Sequence, residues 1–76
     1  MTVKVYSTPT CPWCTRVKEY LSANNVDFVD YDVSSDREMA MEMINKSGQR
    51  GVPVIDIQGN IIIGFDQHNI DRLLNL

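Results

Sequence analysis

Two cysteines, Cys11 and Cys14, are the only thiols in the chain, and two residues lie between them. A thiol that ionises to a thiolate attacks disulfide sulfur, and a second thiol within reach can then displace the captured group. On a helix, this spacing brings two sulfurs within bonding distance without breaking the helix. The pair therefore predicts thiol–disulfide exchange, with Cys11 as the attacking thiol and Cys14 as the resolving thiol.

The residues around the pair predict a strand that turns directly into a helix. Residues 3–6 alternate in polarity, as a strand does, and residues 8–10 break that pattern. A proline suits the first helical position, so we expect a helix over residues 12–24. Cys11 then caps this helix, where unpaired N–H groups and the helix dipole favour an anion. We expect Cys11 to be held as a thiolate and Cys14, nearly one turn later, to be more buried.

Pro12 and Trp13 lie between the two cysteines and should stiffen the turn. Trp13 is expected to be exposed and to contact partner proteins, with packing as the alternative. A structural zinc site would need four ligands, and beyond the cysteines the chain offers only His68, so we predict no metal. A structural disulfide across so short a loop would constrain little of the unfolded chain.

A second signal is the pair Val52-Pro53, just before a predicted strand over residues 54–57. A proline at the start of an inner strand is unusual, and it is tolerated if its peptide bond is cis. The backbone of Val52 would then be free to pair with an extended substrate segment. The alternative is an ordinary proline at the start of a strand.

The rest of the chain alternates between strand and helix periods. A capping box beginning at Ser35 predicts the start of a second helix, and Asp66 is expected to cap the last one. Asp56 would need a partner if its side chain points inward. Predicted elements after the first helix are strand 27–33, helix 35–46, strand 54–57, strand 61–63 and the helix capped by Asp66. We therefore expect an α/β fold in the order β-α-β-α-β-β-α, a four-stranded mixed sheet flanked by three helices.

Length and charge exclude several classes of protein. The chain has 76 residues, which suits one domain over residues 1–76. Its net charge of -3 argues against nucleic-acid binding, which needs clustered Lys and Arg. No apolar run approaches the length of a membrane span, and the start lacks the apolar segment of a signal peptide. We expect a cytoplasmic monomer that binds neither nucleic acid nor membrane.

Together these residues resemble the thioredoxin superfamily and, within it, the glutaredoxins and glutaredoxin-like redoxins. The resemblance covers nearly the whole chain, and its landmarks are the Cys-Pro-Trp-Cys motif at 11–14, Val52-Pro53 and the turn at 64–66. It implies a thioredoxin fold, a cis Pro53, and a dithiol–disulfide oxidoreductase acting on protein disulfides. It also implies Cys11 as nucleophile and Cys14 as resolving thiol, with no metal or organic cofactor.

Several positions depart from the glutaredoxins that use glutathione. Thr8 stands where they usually have Lys, Trp13 where Tyr is common, and Gly51 where Thr is frequent. Residues 64–65 and 70–73 are similar to the redoxins that serve ribonucleotide reductase. Those redoxins take electrons from thioredoxin reductase, so the electron donor is either that enzyme or glutathione.

Glutathione as a co-substrate would need groups that recognise its carboxylates and amine. Arg16, Gln49, Arg50 and the helix start at Asp66 could supply them. The alternatives are solvated surface charges for the arginines and a plain helix cap for Asp66. A second function that the resemblance leaves open is an iron–sulfur or metal-binding scaffold built on the first cysteine and glutathione. Pro12, which the family associates with poor cluster binding, argues against it.

Overall fold

The computed structural model describes residues 2–76, which form one four-stranded sheet with three helices. The elements are β1 (Val3–Ser7), α1 (Pro12–Ala23), β2 (Val29–Asp32), α2 (Arg37–Ser47), β3 (Val54–Ile57), β4 (Asn60–Ile63) and α3 (Gln67–Leu74). The strand order is β2-β1-β3-β4, with β1 and β2 parallel and the other neighbours antiparallel. This architecture confirms the predicted fold class and element order.

Side chains of β1 face two different cores. Val5 packs with residues of α1 and α3, among them Leu21 and Ile70, all fully buried. Tyr6, the next residue, packs with Met43 of α2 on the opposite face. Alternation along the strand thus places α1 and α3 on one face of the sheet and α2 on the other. No helix in residues 2–76 is long and apolar enough to cross a membrane.

The start of α2 corrects one prediction. Asp36, not Ser35, is the N-cap, and its carboxylate accepts the N–H of Met39 at 3.1 Å. Ser35 lies in the preceding turn, where its N–H donates to the carbonyl of Asp32 at 3.3 Å. Both residue types cap helices well, so the sequence could not separate them. The same turn ends β2 at Asp32, one residue before the predicted end.

Asp56 does point inward, and the structure supplies the partner that the sequence could not name. Lys46 of α2 donates to its carboxylate at 2.7 Å and to the hydroxyl of Tyr6 at 2.9 Å. The Tyr6 hydroxyl in turn donates to Glu42. Asp56 also accepts the N–H of Gly59 at 2.7 Å, which fixes the turn between β3 and β4. We refer to Tyr6, Glu42, Lys46 and Asp56 as the ionic cluster beneath α2.

Candidate active site

Cys11 occupies the cap of α1, as the sequence predicted. Its backbone is extended, with φ of -105°, and its Sγ accepts the N–H of Cys14 at 3.1 Å. Its carbonyl accepts the N–H of Thr15 at 3.2 Å, which begins the helix. The sulfur therefore lies at the positive end of the helix dipole, in contact with a backbone donor.

Cys14 has the opposite environment, although both cysteines are free thiols. It is fully buried in the core beneath α1, whereas Cys11 is partly exposed. Burial, followed by the hydrogen bond to Cys11, raises the pKa of Cys14 to about 11. The backbone N–H of Thr8 and the charge of Lys18 act in the opposite sense. At neutral pH Cys14 is therefore protonated as long as Cys11 has not formed a disulfide.

An apolar groove begins at the cysteine turn. It has a volume of ≈ 250 Å³ and is lined by Trp13, Val52, Pro53, Gly64 and Phe65. Trp13 is 55% exposed, and its ring lies 6.4 Å from that of Phe65. The structure thus brings three of the sequence-predicted contact residues together and adds Gly64 and Phe65. Both additions belong to the turn already singled out in the sequence.

A cation lies over the ring of the same tryptophan. The guanidinium of Arg16 is 4.7 Å from the centre of the Trp13 ring, within the range of a cation–π contact. Arg16 is itself exposed. The groove therefore has one charged edge, supplied by the helix that carries the cysteines.

The Val52–Pro53 peptide bond is cis, as predicted. The carbonyl of Pro53 accepts the N–H of Gly64 at 2.9 Å, which ties the two walls of the groove together. Val52 precedes Val54, the first residue of β3 that pairs with β1. Its backbone therefore lies just beyond the hydrogen-bonded part of the sheet.

Gln49 has a role that the sequence did not suggest. Its side-chain amide accepts the N–H of Gly51 at 2.6 Å and donates to the carbonyl of Gly51 at 3.0 Å. A β-carbon at Gly51 would stand 2.8 Å from the amide oxygen, so a larger residue there would displace the Gln49 side chain. The Gln49 amide thus fixes the conformation of the loop before Val52. A sequence gives no signal for such a side-chain-to-backbone pairing two residues away.

The remaining predicted contact residues lie around this centre. Asp66 caps α3, where its carboxylate accepts the N–H of Asn69 at 3.3 Å and the Asn69 side-chain amide at 2.7 Å. Arg50 is exposed in the loop between α2 and β3, and Pro12 is exposed in the first turn of α1. Across residues 2–76, no three His, Cys, Asp or Glu side chains converge to hold a metal ion.

A family model and individual known proteins that resemble this chain point to the same family. The glutaredoxin family model matches residues 3–62. A glutaredoxin-like 8.6 kDa protein from the rubredoxin operon of Clostridium pasteurianum is 56% identical, covering 95% of this chain and 96% of its own. Glutaredoxin 3 of Escherichia coli K12 is 38% identical, covering 84% of this chain and 77% of its own.

A similar solved structure supports the same family and the same fold. NrdH-redoxin of Escherichia coli, described as a glutaredoxin-like protein with a thioredoxin-like activity profile, superposes with a TM-score of 0.84. It is 27% identical, and the match covers 96% of this chain and 95% of that one. With the family model and the curated relatives, this likeness settles the assignment. The chain belongs to the glutaredoxin family of thiol–disulfide oxidoreductases.

Proposed function

We propose that the chain reduces protein disulfides through a dithiol mechanism at Cys11 and Cys14. One observation carries the proposal: the Cys11 sulfur caps α1 and accepts the N–H of Cys14, whose own thiol is buried. A helix N-terminus stabilises the thiolate, which is the nucleophilic form of cysteine. Burial keeps the second thiol protonated until it is needed.

The reaction proceeds in two exchanges. The Cys11 thiolate attacks one sulfur of the substrate disulfide, forming a mixed disulfide, and the other substrate sulfur leaves as a thiolate that takes up a proton. Cys14 then loses its proton and attacks the Cys11 sulfur. The Cys11–Cys14 bond forms, and the second substrate thiol leaves. Two electrons pass from the dithiol to the substrate, and the cycle needs no metal or organic cofactor.

The first exchange prepares the second. In the free protein Cys11 raises the pKa of Cys14, through the hydrogen bond between them and through its charge, although burial is the larger cause. The mixed disulfide removes the charge of Cys11. Cys14 therefore ionises more readily once a substrate has been captured, which suits a resolving thiol.

Substrate binding is assigned to the apolar groove and to the backbone beside it. Pro12 and Trp13 offer an exposed apolar surface next to the reactive sulfur. The backbone of Val52 lies just outside the sheet, where it can pair with an extended segment of the substrate. The cis Pro53 and Phe65 form the opposite wall. We expect an extended peptide segment flanking the substrate cysteine to occupy this groove.

For the electron donor we propose thioredoxin reductase rather than glutathione. Two groups that could recognise glutathione, the Asp66 carboxylate and the Gln49 amide, are engaged within the chain. The thioredoxin-like activity profile of the Escherichia coli NrdH-redoxin supports the same choice. Arg16 and Arg50 remain as exposed cations that could attract glutathione, so the two donors need a direct test.

Oxidised protein is expected to be reduced by NADPH with thioredoxin reductase at least about tenfold faster than by NADPH with glutathione and glutathione reductase. The measurement is NADPH consumption in the two arms at equal protein concentration. The Cys11→Ser variant is the control and should consume none in either arm. Faster turnover with glutathione would contradict the proposed donor, and no turnover in both arms would contradict the oxidoreductase itself.

A further inference from the structure

Lys18 is partly exposed and turns its ammonium group toward the sheet. It lies on α1 four residues after Cys14, and its Nζ donates to Asp30 of β2 at 3.0 Å. The same nitrogen lies 3.4 Å from the hydroxyl of Ser7, at the end of β1. Ser7 is buried and donates its own hydrogen to Asp30 at 2.6 Å. Three elements thus hold one cation in place.

Lys18 lies about one helical turn after the resolving cysteine on α1. Residues four apart on a helix share a face, with Cβ atoms about 5–6 Å apart. Cys14 is fully buried, so a nearby charge acts on it with less screening than it would in water. Lys18 accordingly favours the ionised form of Cys14. A partly exposed ion pair contributes little to stability, so stability alone gives a weak reason for this arrangement.

We infer that Lys18, fixed by Asp30 and Ser7, is a positioning residue for the resolving step, placing a positive charge one helical turn below Cys14. This inference rests on the proposed function. As Cys14 releases its proton to water and attacks the Cys11 sulfur, the ammonium stabilises the negative charge on Cys14. The departing substrate thiolate takes up a proton, so the step is balanced with no further reactant.

In the mixed disulfide, Lys18 and the backbone N–H of Thr8 remain as the influences that favour the ionised form of Cys14 against its burial. The charged groups among the main influences on Cys14 are Cys11 and Lys18, and the Asp30 carboxylate faces the Lys18 ammonium at 3.0 Å. Cys11 is uncharged in the mixed disulfide. Loss of Lys18 should therefore move the pH profile of resolution upward and leave substrate capture unchanged.

The test uses a chromogenic aromatic disulfide, dithiobis(nitrobenzoate), in stopped flow. Its first thiolate appears when Cys11 attacks, and its second appears when Cys14 resolves the mixed disulfide. For Lys18→Gln we expect the second phase to slow about five- to tenfold at neutral pH, while the first phase changes less than about twofold. The slowed phase should recover at higher pH, where Cys14 ionises without help.

Two variants separate this role from a structural one. Lys18→Arg keeps the charge and should restore most of the second phase. Arg37→Gln removes an exposed positive charge at the start of α2 and should leave both phases unchanged. Equal slowing of both phases by Lys18→Gln, or an unchanged second phase, would overturn the inference. A missing first phase in the unaltered protein would instead overturn the proposed function.

Discussion

Replacing Cys11 with serine is expected to reduce disulfide reductase activity to the uncatalysed rate. A hydroxyl at the cap of α1 can still accept the N–H of Cys14, so the helix keeps its cap. It does not ionise near neutral pH and forms no disulfide, so the first exchange has no nucleophile. The measurement is turnover of a protein disulfide with an excess of reductant, and the melting temperature should remain close to that of the unaltered protein.

The matched control for this prediction is Cys14→Ser. That variant keeps the nucleophile and loses only the resolving thiol, so it should capture substrate and stop. Intact-mass measurement is expected to show a stable adduct of Cys14→Ser with its substrate and none with Cys11→Ser. Full turnover by Cys11→Ser, or adducts formed equally by both variants, would contradict the assignment of the two roles.

Replacing Lys46 with methionine is expected to lower the free energy of unfolding by about 3 kcal/mol. Methionine fills a similar volume but leaves the buried carboxylate of Asp56 without the ammonium that contacts it at 2.7 Å. Urea denaturation should show a lower midpoint with an unchanged slope. Adding Asp56→Asn should recover much of the loss, because the uncompensated charge is gone and an acceptor for Gly59 remains. An unchanged midpoint in Lys46→Met would contradict this account.

The ionic cluster beneath α2 also sets how stability depends on pH. Burial acts to raise the pKa of Asp56, but the hydrogen bond from Lys46, the N–H of Gly59 and the charge of Lys46 together outweigh it, and the pKa is lowered. The hydrogen bond from Tyr6 lowers the pKa of Glu42. A carboxyl with a lowered pKa stabilises the fold above its unfolded value, about 4, and that contribution is lost as the pH falls through the folded value.

The dependence of stability on pH above neutrality follows from Tyr6 and Lys46, the other two members of the ionic cluster. Burial, then the hydrogen bond to Glu42, raises the pKa of Tyr6 to about 12. Burial acts to lower the pKa of Lys46, but its bonds to Asp56 and Tyr6 raise it overall. Groups with a raised pKa stabilise the fold below their unfolded values, about 10, and that contribution is lost at higher pH. The stability that the ionic cluster contributes should therefore be constant between about pH 5 and 9, and Lys46→Met should reduce its loss on both sides.

The placement of the cysteines could be predicted because it depends on local signals. A strand, a break and a proline at the first helical position are enough to put Cys11 at the helix cap and Cys14 inside the helix. The hairpin of β3 and β4 and the cap at Asp66 follow from equally local patterns. Each of these features is set by residues within a few positions of one another.

Contacts across the fold could not be predicted in the same way. Asp56 is paired with Lys46, which lies on a helix that crosses the sheet. Lys18 of α1 meets Asp30 of β2 only because the packed fold brings the two elements together. Such pairings depend on the packed geometry of several elements. Many charged residues of the chain could, from the sequence alone, be the partner of Asp56 or of Lys18. The structure was needed to choose among them.

The central claim is that the sulfur at the cap of α1 is the nucleophile and its buried neighbour is not. Alkylation of the reduced protein with iodoacetamide at neutral pH, resolved by peptide mass spectrometry, tests it directly. With its pKa at about 11, Cys14 is ionised in roughly one molecule in ten thousand, so Cys11 should react at least about 100-fold faster. Equal rates at the two cysteines, or a Cys11 no faster than free cysteine in solution, would contradict the account.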